Sequence, residues 1–170
     1  MKYRYLHFSF FSIAFSIILI NDPAISAKDL KNLKGCWQGT ITYLDYSSNK
    51  PFSMPANMEV KDFREANTII YSMIYPKEPK ANATDTIFIS GDGTKVNGEM
   101  IISKKIFRKD SLLIITESKG IDGNDNKPAT FRHSYLLGKH TYSTKKEVQF
   151  TGEAPWILRN EYRFRKIPCD

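Results

Sequence analysis

The chain has 170 residues, 13% of them aromatic, with 25 Lys and Arg against 18 Asp and Glu and a formal net charge of +7. That length suits one domain with a real core. The basic excess is scattered in pairs such as Lys104-Lys105 and Lys145-Lys146, with no long block of like charge and no nucleic-acid-binding motif, so a solvated basic surface is expected and a nucleic-acid partner is not.

Residues 1–27 have the pattern of a signal peptide. Lys2 and Arg4 are basic, Phe8 to Ile20 is largely apolar, and Ala24-Ile25-Ser26-Ala27 offers small residues for cleavage, expected after Ala27. The apolar stretch of 13 residues is shorter than the roughly 18 that a membrane anchor needs. The expectation is therefore an exported protein, periplasmic or secreted, with no transmembrane span after processing and with residues 28–170 as its single domain.

From Lys28 on there is no sustained helical period, only room for one short turn at Lys28–Lys34. Period-two alternation with β-branched and aromatic residues predicts strands at Trp37–Asp45, Met58–Phe63, Asn67–Tyr75, Thr86–Ser90 and Lys95–Ile102. Further strands are expected at Lys104–Arg108, Ser111–Ser118, Thr130–Leu137, Lys145–Thr151 and Ile157–Lys166. Pro51 and Pro55 read as punctuation ahead of the second strand, and Gly91-Asp92-Gly93 as a tight turn. Short, evenly spaced strands without crossover helices predict an all-β fold: a single antiparallel up-and-down β-barrel of about 8–10 strands. If such a sheet closes, its first and last strands are neighbours, and Cys36 and Cys169 can form a disulfide across them; two unrelated thiols are the alternative.

The ends carry a resemblance. Gly35-Cys36-Trp37 and the terminal Arg163-Phe164-Arg165 resemble the lipocalin-like, or calycin, barrels, in which a Gly-X-Trp on the first strand lays an indole across the closed end and an arginine of the last strand packs on it. The resemblance implies a structural closure made by Gly35, Trp37 and Arg163 or Arg165. The chain is also similar to uncharacterised exported bacterial proteins of this size, whose first strand reads much like Gly39-Thr40-Ile41-Thr42-Tyr43-Leu44-Asp45-Tyr46. It carries neither the Thr-Asp-Tyr-type motif of many lipocalins nor a helix pair after the first strand, so the likeness is to the wider architecture.

Strand side chains alternate between faces, so one inward residue fixes a parity. With Trp37 inward, Gly39, Ile41 and Tyr43 follow. The same logic turns Ile69, Tyr71, Met73 and Tyr75 inward on the third strand. It does the same for Phe131, His133, Tyr135 and Leu137, and for Leu158, Asn160, Tyr162 and Phe164. Tyr43, Tyr71, Met73, Phe131, His133, Tyr135 and Tyr162 are the candidate ligand-binding residues of an aromatic-lined cavity. Small barrels are also often filled by their own side chains.

His133 is the sharpest single candidate: among aromatic neighbours it can be a haem or metal ligand, a core histidine satisfied by a tyrosine, or a surface residue. His133 and His140 are the only histidines after residue 27, and no cofactor or metal site is expected. Asp122-Gly123-Asn124-Asp125-Asn126 imitates the start of a calcium loop and then fails, with Lys127 and His133 where glycine and glutamate belong. The usual catalytic signatures are missing, so no catalytic residue is assigned. Glu99, Glu117 and Glu147 lie on strands and leave a carboxylate in the barrel open.

The sequence thus points first to an exported barrel binding a small apolar or amphipathic ligand. A side-chain-filled structural or protein-interaction module of the cell envelope is the second reading, and a small barrel enzyme using His133 the third.

Overall fold

The computed structural model describes residues 23–169 apart from 46, 47, 49, 65, 66, 108–110 and 124, and apart from the side chains of 62–64. The expected export signal lies, as far as residue 22, outside the described residues. A short 3-10 helix, Ala27–Leu33, leads into ten strands: β1 (Gly35–Asp45), β2 (Lys50–Arg64), β3 (Thr68–Ile74), β4 (Ala83–Phe88), β5 (Lys95–Val96), β6 (Glu99–Phe107), β7 (Ser111–Asp122), β8 (Lys127–Leu137), β9 (Thr141–Phe150) and β10 (Ile157–Ile167).

All neighbouring strands are antiparallel, in the order β4-β3-β2-β1-β10-β9-β8-β7-β6-β5. The two edges of this sheet meet. Ile89, just past β4, bridges Val96 of β5, and Asn97 exchanges two bonds with Phe88, its N–H donating to the Phe88 carbonyl at 2.8 Å and its side-chain oxygen accepting from the Phe88 N–H at 2.7 Å. The result is a nearly closed all-β barrel, which leaves few unpaired backbone groups on strand edges.

Three local features differ from the sequence-based expectation. Pro51 and Pro55 lie inside β2, not ahead of it. They pair with Leu44 and Thr40 of β1, in a stretch of β2 that β3, which pairs only from Asn57 on, does not reach; the missing N–H groups face no partner strand. The expected Lys95–Ile102 strand is instead a hairpin, because Asn97 and Gly98 both take positive φ, 50° and 83°, which is the turn an Asn-Gly pair makes. Its second arm and the expected Lys104–Arg108 strand are one element, β6. The long gap left between the strands expected at Ser111–Ser118 and Thr130–Leu137 shrinks to a turn as β7 and β8 pair out to Asp122 and Lys127.

One end of the barrel is packed solid. Trp37 is 1% exposed, its indole N–H donates to the Leu33 carbonyl at 2.7 Å, and Leu30 and Leu33 of the 3-10 helix are buried with it. Tyr142 lies 6.2 Å from the indole and stacks on Phe164 at 6.1 Å. The cation over the indole is Lys166, with Nζ 5.0 Å from the ring, and this corrects the expected role of Arg163 and Arg165. Phe164 faces inward, so by alternation Arg163 and Arg165 face outward and are exposed, Arg163 pairing with Glu161 at 2.9 Å, while Lys166 returns to the inner side opposite Trp37.

Cys36 and Cys169 form the disulfide that joins the first strand to the segment after the last. The packed structure also begins before Lys28. Ile25 is 5% exposed, its N–H donates to the Gly93 carbonyl at 2.9 Å, and Lys104 Nζ donates to the Ala24 carbonyl at 2.9 Å. No helix among the described residues is long and apolar enough to cross a membrane.

Candidate ligand cavity

Because the ladders run in register around most of the barrel, its inner face can be followed row by row. The deepest row reads Leu112, Leu137, Tyr142, Phe164, Gly39 and Ala56 from β7 round to β2. Every residue in it except Gly39 is buried, and it continues the packed end. The next row reads Ile114, Tyr135, Thr144, Tyr162, Ile41 and Met54, mixing apolar walls with hydroxyls. The third reads Thr116, His133, Lys146, Asn160 and Tyr43, and is polar throughout. The interior therefore grades from apolar to polar along the strands.

A cavity of about 330 Å³ opens between these rows. Tyr71, Met73, His133, Tyr135 and Tyr162, five of the seven residues singled out in the sequence, line it together. Tyr43 lines instead an outer hollow of about 400 Å³ with Asp122, Arg159 and Asp45, which adjoins the cavity and shares Lys146 and Asn160 with it. Phe131 sits beside the cavity, its ring 4.9 Å below Lys146 Nζ. Leu158 turns out to solvent, 41% exposed, because a bulge between Leu158 and Asn160 resets the alternation of β10. Tyr75, Thr144, Lys146 and Asp85 complete much of the lining. Of these, Thr144 lies ahead of the expected Lys145–Thr151 strand, and for Lys146 the apolar signal that picks out a core face is weak.

The polar groups have defined partners. Tyr75 and Tyr162 share a hydrogen bond of 2.9 Å, and the Tyr71 hydroxyl donates to Asp85 at 3.3 Å. Burial pushes the phenols of Tyr71, Tyr135 and Tyr162 well above their ordinary range, and the Asp85 carboxylate adds to this at Tyr71. All three are neutral hydroxyls at any physiological pH.

His133 does not hydrogen-bond a tyrosine. Its Nδ1 lies 2.8 Å from Glu99 Oε2, reaching across from β8 to the start of β6. The same carboxylate accepts Thr116 Oγ1 at 2.5 Å and Ser118 Oγ at 3.0 Å, both from β7. Burial would raise the Glu99 pKa, but the bonds from His133, Thr116 and Ser118 outweigh it and hold the carboxyl below its usual value. Glu99 is thus an ionised, fixed acceptor, and Nδ1 carries the proton donated to it. Among the described residues no group of three or more His, Cys, Asp and Glu is arranged to hold a metal ion.

No protein-family model matches the chain, and no curated protein matches it in sequence. Among solved structures, the fold is similar to the crystal structure of Rv2717c from M. tuberculosis, with a TM-score of 0.53 at 11% sequence identity, covering 82% of this chain and 96% of that one. At that identity the likeness is one of fold.

Proposed function

We propose that this protein is an exported barrel that binds a small amphipathic molecule, apolar end first, in its aromatic cavity. The observation that carries this reading is the 330 Å³ interior itself, with tyrosine walls and a polar row toward the adjoining hollow. Ligand pockets span roughly 300 to 1,000 Å³ and combine apolar walls with a few placed polar groups. A barrel whose task was purely structural gains nothing from a hollow of this kind, since each unfilled volume forfeits packing energy. Export fits a disulfide that staples the chain ends, because such bonds persist in oxidising compartments. Cleavage after Ala27 would remove the buried Ile25, so a mature chain that keeps Ile25 suits the packing better.

Native mass spectrometry of protein purified from its own source tests the reading. An added mass is expected that dissociates on denaturation and is absent from Thr144→Trp, which puts an indole into the middle row. A spectrum showing only the bare chain, together with a clear loss of stability in Thr144→Trp, the mark of an interior that is already filled, would leave the envelope-module reading in its place.

A further inference from the structure

We propose that His133 is the polar anchor of this cavity and that it selects ligands whose head donates a hydrogen bond, an alcohol or phenol O–H, over ligands with an anionic head. The inference rests on the cavity reading above.

The geometry at His133 leaves one nitrogen for a ligand. Nδ1 is committed to Glu99 at 2.8 Å, and Glu99 is itself held by Thr116 and Ser118, so the ring is fixed from two neighbouring strands. The other nitrogen, Nε2, makes no hydrogen bond within the described residues. No buried side-chain nitrogen or oxygen is left without a partner, so Nε2 must be reachable, and the residue lines the cavity. In a neutral imidazole whose Nδ1 holds the proton, Nε2 presents a lone pair. A carboxylate behind a histidine fixes which nitrogen is free.

The remaining cavity groups complement an acceptor at that point. Tyr71 donates its hydroxyl proton to Asp85, and one of Tyr75 and Tyr162 donates to the other. His133 offers an open acceptor in the polar row. An anionic head would meet two carboxylates, Asp85 on one wall and Glu99 behind the imidazole, against one ammonium, Lys146, which is drawn over the Phe131 ring. A neutral O–H avoids both repulsions and satisfies Nε2. The cavity walls beside His133, with Tyr135, Tyr162 and Met73, then accept a flat apolar body.

Three probes with one body and different heads test this: naphthol, methoxynaphthalene and naphthoate, titrated calorimetrically into the disulfide-bonded protein. Naphthol is expected to bind at least about tenfold more tightly than methoxynaphthalene, the effect of one buried hydrogen bond to an otherwise unpaired group. In His133→Phe that preference should fall below about threefold, with methoxynaphthalene affinity retained. Nitrogen NMR of the unsubstituted protein gives an independent readout if that variant does not fold: the His133 Nε2 resonance should move on adding naphthol and stay on adding methoxynaphthalene. Equal affinity for those two probes overturns the anchor and leaves the cavity reading standing. So does tightest binding of naphthoate, lost in Lys146→Met. Failure of all three probes to bind overturns both.

Discussion

Gly39 pairs with Phe164 across the β1–β10 ladder, and the backbone there leaves no room for a side chain. A Cβ would lie 1.9 Å from the Arg163 carbonyl oxygen and 2.8 Å from Phe164 Cδ1. One obstacle is backbone within the β1–β10 ladder and the other a buried ring, so neither can swing aside as the end of a flexible side chain would. Gly39→Ala must part the two strands or displace Phe164, which stacks on both Tyr142 and Tyr162. Overpacking of this kind costs about 1–3 kcal/mol, occasionally more, and the upper end is expected here because the clash involves main chain. Urea unfolding of the variant measures it, and a loss under about 0.5 kcal/mol, the size of an ordinary surface change, would show that the ladder yields more easily than its geometry implies.

At the scale of elements, the sequence announces strands wherever a face is buried and is silent where position alone decides. Ile69, Tyr71 and Met73 alternate so regularly that the inward face of β3 is plain from residue types. The inward face of β9, with Tyr142, Thr144 and Lys146, is not, because two of the three are polar and acquire their role from the strands on either side. Glu99 shows the same limit. It is recognisable as a strand carboxylate, but its meeting with His133 is set by how β6, β7 and β8 pair, over a separation of 34 residues.

The turn at Asn97-Gly98 is the counter-case: the expected Lys95–Ile102 strand runs straight through it, although an Asn-Gly pair between two β-forming runs is a strong hairpin signal. Its cost can be isolated. Gly98 has φ +83° and nothing within 4 Å of a built Cβ, so Gly98→Ala should lose about 1–2 kcal/mol through backbone conformation alone. Gly91, equally open and without positive φ, is the control, and Gly91→Ala should leave stability unchanged or slightly raised. Equal effects of the two substitutions, by thermal or urea unfolding, would contradict a left-handed turn at this hairpin.

Taken as a whole, the barrel has two seams of unequal strength. Between β1 and β10 the ladder runs from Cys36 to Tyr43, the disulfide ties its end, and Trp37, Lys166 and Leu33 close it beneath. Between β4 and β6 stands the two-residue β5, joined by the Ile89–Val96 bridge and by the bonds of Asn97 to Phe88 and of Lys95 to Ser90, and Ala83 and Asp85 of β4 line the cavity on that side. Stability is therefore concentrated at the sealed end and the cavity lies at the opposite rows, which separates the two experimentally. The cross-link spans 133 residues, and by the chain-entropy model a closed loop of that size stabilises by about 4–5 kcal/mol. For a domain of this size that corresponds to a fall in Tm of about 10 °C or more on replacing both cysteines by serine. Because β1 and β10 are already paired beside the cross-link, the barrel itself should persist below the new Tm, with naphthol affinity within about threefold of the parent. Calorimetry and titration of Cys36→Ser/Cys169→Ser measure both quantities; a lost affinity at a temperature where the variant is still folded would mean that the seam shapes the cavity as well as holding the chain closed.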